Sequence, residues 1–536
     1  WANMVMLFCL QSYYEYSGDK RVLDLMTGYF KYQLSVPDDK FLTHYWQKMR
    51  GGDNLYSVYW LYNRTGDKWL LNLARKIHAH TADWEIKNDL PDWHNVNIAQ
   101  GFREPAIYYM QTHAKSDLDA AYANFRIVRE KYGQVPGGMY GGDEISREGY
   151  DDPRQGIETC GIVEQMLSDE MMLRITGDAF WADHCEDVAF NTLPAAFLQN
   201  FKALRYFTCP NMPMSDVNNH APGINNSGPF FIMNPLSNRC CQHNHSHGWP
   251  YFTENLWSAT PDNGAAAVLY APSSADIKVG NGSRVKIEEE TVYPFEETIR
   301  LKIKTDKPAQ FPLYVRIPKW CVKPSITLNG NKIFMGVGSQ KGKFVRIERK
   351  WNNNDKLTLL FPMDISVNRW SKNHNSASVN YGPLTFSLRI DEKYIRRNSE
   401  MTALWDSKWQ KKLKTKDWPA YEIIPKSDWN YGLVLRTENP VKSFVIVRKP
   451  WPENNFPFSL STVPIEMKAS GKKIVQWKFD RYGLVAPLQD SPVASNEPTE
   501  DITLAPMGAA RIRISEFPVI GDGPDAVNWT SEAPEK

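Results

Sequence analysis

Long apolar runs are missing from this 536-residue chain. No stretch approaches the roughly eighteen consecutive apolar residues that a membrane-spanning helix needs, so no transmembrane segment is expected. An excess of charge of one sign is missing as well. The 63 basic and 61 acidic residues nearly cancel, which argues against nucleic acid or an anionic membrane as the main partner. Cysteine is scarce. The chain has seven, an odd number without framework spacing, which excludes a disulfide scaffold. Cys9, Cys185, Cys209 and Cys321 stand among apolar or aromatic neighbours and read as buried thiols. No signal peptide is visible. The chain opens "WANMVMLFCL" without an initiator Met, inside an apolar helical pattern. That opening reads as a cut edge, so the compartment stays open at this point.

Aromatic residues are plentiful, with 19 Trp, 25 Tyr and 24 Phe. Flat rings suit stacking on sugars, and they suit large cores equally well. The length points to about two to four domains.

The first half reads as helices with an internal repeat. "YYEYSGDKRVLDLM" (13–26) returns as "WLYNRTGDKWLLNLA" (60–74) and "MLRITGDAFWADHCE" (172–186), with a degenerate copy, "MQTHAKSDLDAAYANF", at 110–125. Gly18, Gly66 and Gly177 suit the left-handed position that ends a helix. Asp19, Asp67, Asp117 and Asp178 are placed to cap the next helix. Four such αα-hairpins, with a further helix near 248–260, predict an (α/α)6-type helical barrel over residues 1–262 whose N-terminal part is missing. Near 262 the apolar period changes to two. "AAAVLYAPSSADIKV", "TIRLKIKTD", "FPLYVRIPKW", "SITLNGNKI", "KFVRIERKW" and "KLTLLFPMDISV" predict an antiparallel β-sandwich over 263–392, with a hairpin turn at Asn329-Gly330. A Trp- and Lys-rich irregular stretch (395–432) interrupts a second sandwich over 393–517, whose strands are "KSFVIVRK", "PIEMKA", "IVQWKFD" and "AARIRISEFPVI". Residues 518–536 read as a loose tail.

Two short stretches carry most of the chemistry. "GIETC" sets Glu158 two residues before Cys160, and "RCCQHNHSHGW" sets Cys240 beside Cys241. Residues two apart diverge on a continuous helix, so Glu158 and Cys160 converge only at a helix start or in an extended turn. Gly156 favours a helix start near 159, where a thiol is also acidified. "SNRCCQHN" reads as a loop. One carboxylate and three thiols form a donor set that zinc accepts tetrahedrally. The spacing matches no zinc finger, and two small buried residues or a vicinal disulfide also satisfy it. Asp143 and Glu144 lie in a Gly-rich loop, "GGMYGGDEISREGYDD", able to carry an acid into a cleft or to stay solvated. Asp53 and His94 each open a predicted helix. Each reads as a structural cap alone, and together with Glu144 and Glu158 they read as the lining of one mouth.

Taken together, "GIETCGIVEQMLSDEMM", "RCCQHNHSHGWPYFTENLW", "GGDNLYSVYWLYNRTGD" and "HNVNIAQGFREPA" resemble glycoside hydrolase family 127, the β-L-arabinofuranosidase family, over most of residues 1–260. "LAPMGAARIRISEFP" extends the resemblance toward the C-terminus. It implies an (α/α)6 barrel followed by β-sandwich domains, and a zinc ion on Glu158, Cys160, Cys240 and Cys241. It also implies Cys240 as nucleophile and Glu144 as general acid/base of a retaining, exo-acting hydrolase. The substrate would be an oligosaccharide, releasing terminal L-arabinofuranose or a related pectic sugar. Tyr206, in "RYFTCPN", falls where the family has a pocket tyrosine, and Asp53 and His94 are expected beside it on the substrate. The chain departs from the family at Gln242-His243, where arabinofuranosidases carry Pro-Pro, and around Asp53, where they carry a His. Both departures bear on the sugar rather than on the chemistry. A non-catalytic carbohydrate-binding relative and a polysaccharide lyase are the competing readings. The substrate class alone suggests a periplasmic or secreted protein.

Overall fold

The computed structural model describes residues 1–336, 341–404 and 415–530. The chain divides into two compact units: Trp1–Lys131 with Glu144–Arg147 and Arg174–Thr176, and Tyr132–Asp143 with Glu148–Leu173 and Gly177–Lys536. The protein is a mixed helical and sheet multidomain chain.

The smaller unit is helical. Helices Ala2–Ser17, Arg21–Ser35, Gly51–Thr65, Trp69–His80 and Glu104–Thr112 pack on a core that includes Phe30, Leu55, Val58, Leu73 and Ile107. The repeat explains their ends. Gly18 and Gly66 adopt φ of 68° and 74°, and their N–H groups close the preceding helices on the carbonyls of Tyr14 and Tyr62. Gly177, in the larger unit, does the same on Leu173. In the degenerate copy His113 takes the left-handed position at φ 55°. Asp19 and Asp178 accept the backbone N–H two residues on, as predicted. Asp117 instead accepts the Thr112 hydroxyl.

In the larger unit, sheets follow the last helices. Six strands run in the order Asn331–Met335, Ser325–Leu328, Lys356–Leu360, Thr298–Thr305, Ser283–Thr291 and Ser273–Val279. Four more run Lys343–Trp351, Ala309–Ile317, Ala265–Ala267 and Trp257–Ala259. Alternating burial along Thr298–Thr305 and Ser283–Thr291 marks the core-facing side of the first sheet. Asn329 and Gly330 form the predicted hairpin turn, both with positive φ.

Several expectations are corrected. The sheets are not purely antiparallel: Ala265–Ala267 runs parallel to Leu313–Val315, because the chain makes three strands of the other sheet before returning. The helix expected through 260 stops at Glu254, and Trp257–Ala259 is already a strand. Strand Ser283–Thr291 was not foreseen. Its inward set is Val285, Ile287 and Glu289, and the buried glutamate breaks the apolar pattern. "IVQWKFD" forms no named strand, since Trp477 turns back to bond the Ile474 carbonyl.

A third, larger sheet gathers Ile365–Trp370, Ser376–Tyr381 and Leu384–Leu388 with Thr499–Pro506, Ile465–Lys473 and Tyr431–Val434. Val519–Ile520 and Val527–Asn528 continue it through residues expected to trail loosely. Glu392–Arg397 pairs with Ala420–Pro425 across the irregular stretch. Residues 405–414 of that stretch and 531–536 of the tail lie outside the described residues.

Candidate functional site

In the smaller unit, two loops zip together and fix an acid. Asn95 N–H donates to the Glu144 carbonyl at 2.7 Å, and Ser146 N–H to the Trp93 carbonyl at 2.9 Å. His94 and Ile145 form a bridge between them. Glu144 itself sits at φ 82°, a left-handed conformation that costs a residue with a β-carbon on the order of 1 kcal/mol or more. His94 is the N-cap of helix Asn95–Gly101, as the sequence predicted, and its Nδ1 accepts the Val96 N–H at 3.2 Å. That bond puts the ring proton on Nε2, which donates to Glu144 Oε2 at 3.1 Å. The imidazole thus aims the carboxylate. Trp46 meets the His94 ring edge-on at 5.1 Å, and Arg50, bonded to Asn97 at 2.7 Å, lies over the Trp46 face.

Asp53 lies in the first turn of helix Gly51–Thr65 and is buried. Its Oδ1 is ion-paired with Arg103. Burial pushes its carboxyl above the usual range, against the pull of Arg103 and Arg50. Its bonded side-chain partner is Arg103 rather than His94 or Glu144. Arg103 escaped the sequence reading. Fifty residues separate it from Asp53, and no local spacing pairs them.

The larger unit holds the sulfur cluster. Ile157–Glu158 pairs antiparallel with Phe207–Thr208, and helix Thr159–Thr176 begins at once, with Glu158 as its N-cap. An extended residue followed by a helical turn lets Glu158 and Cys160 converge, as the spacing required. Cys240 and Cys241 lie not in a loop but in the first turn of a short helix, Arg239–Asn244. The two thiols of one turn still reach a common point. Cys160 Sγ is 3.3 Å from Cys241 Sγ, and Cys240 Sγ is 4.0 Å from Cys241 Sγ. Glu158 Oε1 lies 3.8 Å from Cys240 Sγ and 3.9 Å from Cys241 Sγ. All seven cysteines are free, so the vicinal disulfide is excluded. Cys185, Cys209 and Cys321 are buried as expected, while Cys9 is exposed on the outward face of its helix.

These four side chains fit a metal. A tetrahedral zinc at about 2.3 Å from each sulfur spaces its sulfurs about 3.8 Å apart. Glu158, Cys160 and Cys241 are buried, and only Cys240 is partly open. Three thiols and a carboxylate held this close out of water repel one another once ionised, and a divalent cation relieves that repulsion. Hydrogen bonds from Cys160 and Cys241 hold the Cys240 thiol well below its usual range, and the Tyr206 hydroxyl at 4.0 Å adds to this. Burial pushes Cys160 and Cys241 up. Tyr206, predicted only by its place in the sequence, is buried beside Cys240.

No helix among the described residues is long and apolar enough to cross a membrane. A family model for the GH127 catalytic domain of β-L-arabinofuranosidases matches residues 1–254, and one for the GH127 middle domain matches residues 265–363. No curated protein matches the chain. Solved structures share the fold. A glycoside hydrolase is similar at 15% identity over 95% of this chain and 81% of its own, with a TM-score of 0.66. A GH127 β-L-arabinofuranosidase from Geobacillus stearothermophilus T6 is similar at 16% identity over 96% of this chain and 79% of its own, with a TM-score of 0.63. A GH127 β-arabinofuranosidase is similar at 17% identity over 96% and 75%, also with a TM-score of 0.63. With a thiol cluster of this composition and two domain models spanning about two thirds of its length, the chain is a glycoside hydrolase and belongs to glycoside hydrolase family 127.

Proposed function

We propose that this hydrolase is retaining and exo-acting, and that it releases terminal L-arabinofuranose or a related pectic sugar from plant cell-wall oligosaccharides. The observation that carries this reading is the convergence of Glu158, Cys160 and Cys241 on Cys240, the one partly open thiol of the four. In the first step the Cys240 thiolate attacks the anomeric carbon. A carbon–sulfur bond forms as the glycosidic carbon–oxygen bond breaks, and Glu144 gives its proton to the departing oxygen. In the second step Glu144, now a carboxylate, takes a proton from water. The water oxygen bonds to the anomeric carbon, and the carbon–sulfur electrons return to Cys240. Two inversions leave the configuration unchanged, as in the two-carboxylate scheme with one carboxylate replaced by sulfur. When bound by Glu158, Cys160, Cys240 and Cys241, a zinc ion supplies positive charge that keeps the thiolate ionised and eases its departure.

His94 holds the Glu144 carboxyl toward its proton-transfer task through its Nε2–H. The Cys240 thiol points to the Tyr206 hydroxyl oxygen at 4.0 Å, and Tyr206 fixes the sulfur's direction. Asp53, held by its ion pair with Arg103, is placed on the sugar side of the site together with His94 and Tyr206. In this reading residues 1–262 supply an (α/α)6-type catalytic barrel, 263–392 and 393–517 are sandwich domains, and the substrate places the enzyme in the periplasm or outside the cell.

The test is sugar release from a panel of arabinan-type and pectic oligosaccharides, comparing wild type with Cys240→Ala. Release by wild type alone, with retained configuration by proton NMR, supports the reading. Binding without release by either protein points instead to a carbohydrate-binding relative. An unsaturated, ultraviolet-absorbing product overturns hydrolysis in favour of a lyase.

A further inference from the structure

Three arginines of the larger unit are fully buried, and none has a carboxylate partner among the described residues. Arg205, Arg511 and Arg513 are 0%, 2% and 0% exposed. Their guanidiniums donate only to neutral acceptors. Arg205 Nη1 bonds the Arg511 carbonyl at 2.7 Å. Arg511 Nε bonds the Phe197 carbonyl at 2.8 Å, and its Nη1 bonds the carbonyls of Phe458 at 2.9 Å and Ala509 at 3.0 Å. Arg513 Nη2 bonds the Thr208 hydroxyl at 2.7 Å, and its Nη1 bonds the Ala510 carbonyl at 3.2 Å. Among the described residues none of the three makes an ion pair. The nearby carboxylate, Glu392, is occupied elsewhere. Its Oε1 accepts the Arg511 N–H at 2.7 Å and the Ile512 N–H at 3.3 Å, and its Oε2 accepts the Tyr394 hydroxyl at 2.7 Å.

Donors are left over on every member of the group. Arg205 Nε and Nη2, Arg511 Nη2 and Arg513 Nε are buried and have no acceptor. A buried donor left unmade costs about 1–3 kcal/mol, more when charged, and an unpaired buried charge costs several. Burial, together with the two neighbouring guanidiniums, pushes Arg205 down to about 9, and burial pushes Arg513 down to about 10. A guanidinium keeps its proton in a protein, so the strain of three adjoining cations is relieved by an anion rather than by deprotonation. The backbone holds them together: Arg205 reaches the carbonyl of Arg511, two residues before Arg513.

We propose that Arg205, Arg511 and Arg513 form a buried halide site that holds one chloride. Their enclosure on all sides fits a monatomic anion rather than a substrate. The site is tied to the backbone of the sulfur cluster. Thr159, between Glu158 and Cys160, donates its hydroxyl to the Arg205 carbonyl at 2.8 Å and its N–H to the Tyr206 carbonyl at 3.0 Å. Arg513 braces Thr208 on the strand that pairs with Ile157–Glu158. The chloride thus stabilises the backbone from which the cluster's first two ligands project. This inference is independent of the hydrolase reading.

Crystals of the full wild-type chain grown or soaked in sodium bromide test it directly. One anomalous peak within hydrogen-bond reach of the three guanidiniums is expected. In solution, thermal unfolding of the wild type is titrated with sodium chloride against sodium gluconate at equal ionic strength. Chloride binding only the folded chain raises the Tm saturably by several degrees, while gluconate does not. Arg513→Gln removes the chloride-specific rise. If that variant does not fold, the wild-type bromide density decides. Water alone at the site, with chloride and gluconate curves that coincide, overturns the proposal.

Discussion

The larger unit buries two clusters, one of acceptors and one of donors, both tied to the strand pair Ile157–Glu158 and Phe207–Thr208. Glu158, Cys160, Cys240 and Cys241 bring ionisable sulfur and oxygen within 4.8 Å of one another. Arg205, Arg511 and Arg513 bring guanidiniums together with donors unspent. The smaller unit supplies the contrast. Asp53 and Arg103 are as deeply buried, but opposite charges already meet there. A buried ion pair is self-contained, whereas a buried cluster of one chemical kind is an address for something of the other kind. By that logic the sulfur cluster calls for a cation and the arginine cluster for an anion. The two differ in one respect that matters for chemistry: the sulfur cluster leaves Cys240 partly open, and the arginine cluster leaves nothing open.

A graded set of variants separates the two clusters from the ion pair. Cys240→Ala has the largest expected effect, a loss of about 10⁴-fold or more in kcat on any cleaved glycoside, since it deletes the proposed nucleophile. Steady-state kinetics on a nitrophenyl glycoside measures it, and residual turnover near wild type removes Cys240 from the role. Glu144→Gln comes next, at about 10²–10⁴-fold. Its zinc content, read by plasma emission spectroscopy, stays at the wild-type level. Asp53→Ala removes the carboxylate that pairs with Arg103 and costs about 3–5 kcal/mol of stability in urea unfolding. Because opposite charges already meet there, the loss is the same in chloride and in gluconate. Cys241→Ser lowers zinc content and activity together, and its remaining activity falls further on chelation. Cys9→Ser, on an exposed thiol, leaves Tm and turnover within error. A large effect there would show that thiol chemistry outside the cluster matters.

Much of this was legible in the sequence because it is local. Gly18, Gly66 and Gly177 end helices through a backbone preference that travels with the residue type, whereas only the structure places His113 in the corresponding position of the degenerate copy. Glu158 and Cys160 had to flank a helix start because their spacing allows little else. What was missed is non-local or masked by polarity. Cys240 and Cys241 looked like a loop, since Arg, Gln, Asn and His carry no apolar period, yet six residues there are helical. Cys9 sits in an apolar segment but on its outer face, and a helix hides its orientation until its neighbours are placed. Glu289 disguised a strand. Arg103 and Arg205 find their partners, Asp53 and Arg511, 50 and 306 residues away. No reading along the chain brings such residues together.

The proposed mechanism turns on a covalent sugar–sulfur bond at Cys240. It is tested by mixing Glu144→Gln with a nitrophenyl β-L-arabinofuranoside and following intact mass, then mapping the adduct by peptide digestion. The activated leaving group departs without a proton, while the second step lacks its base, so the intermediate accumulates. The predicted result is a mass gain of one sugar residue, located on Cys240 and absent from the Glu144→Gln/Cys240→Ala double variant. An adduct on another residue, or release of arabinose by Cys240→Ala at the wild-type rate, contradicts it.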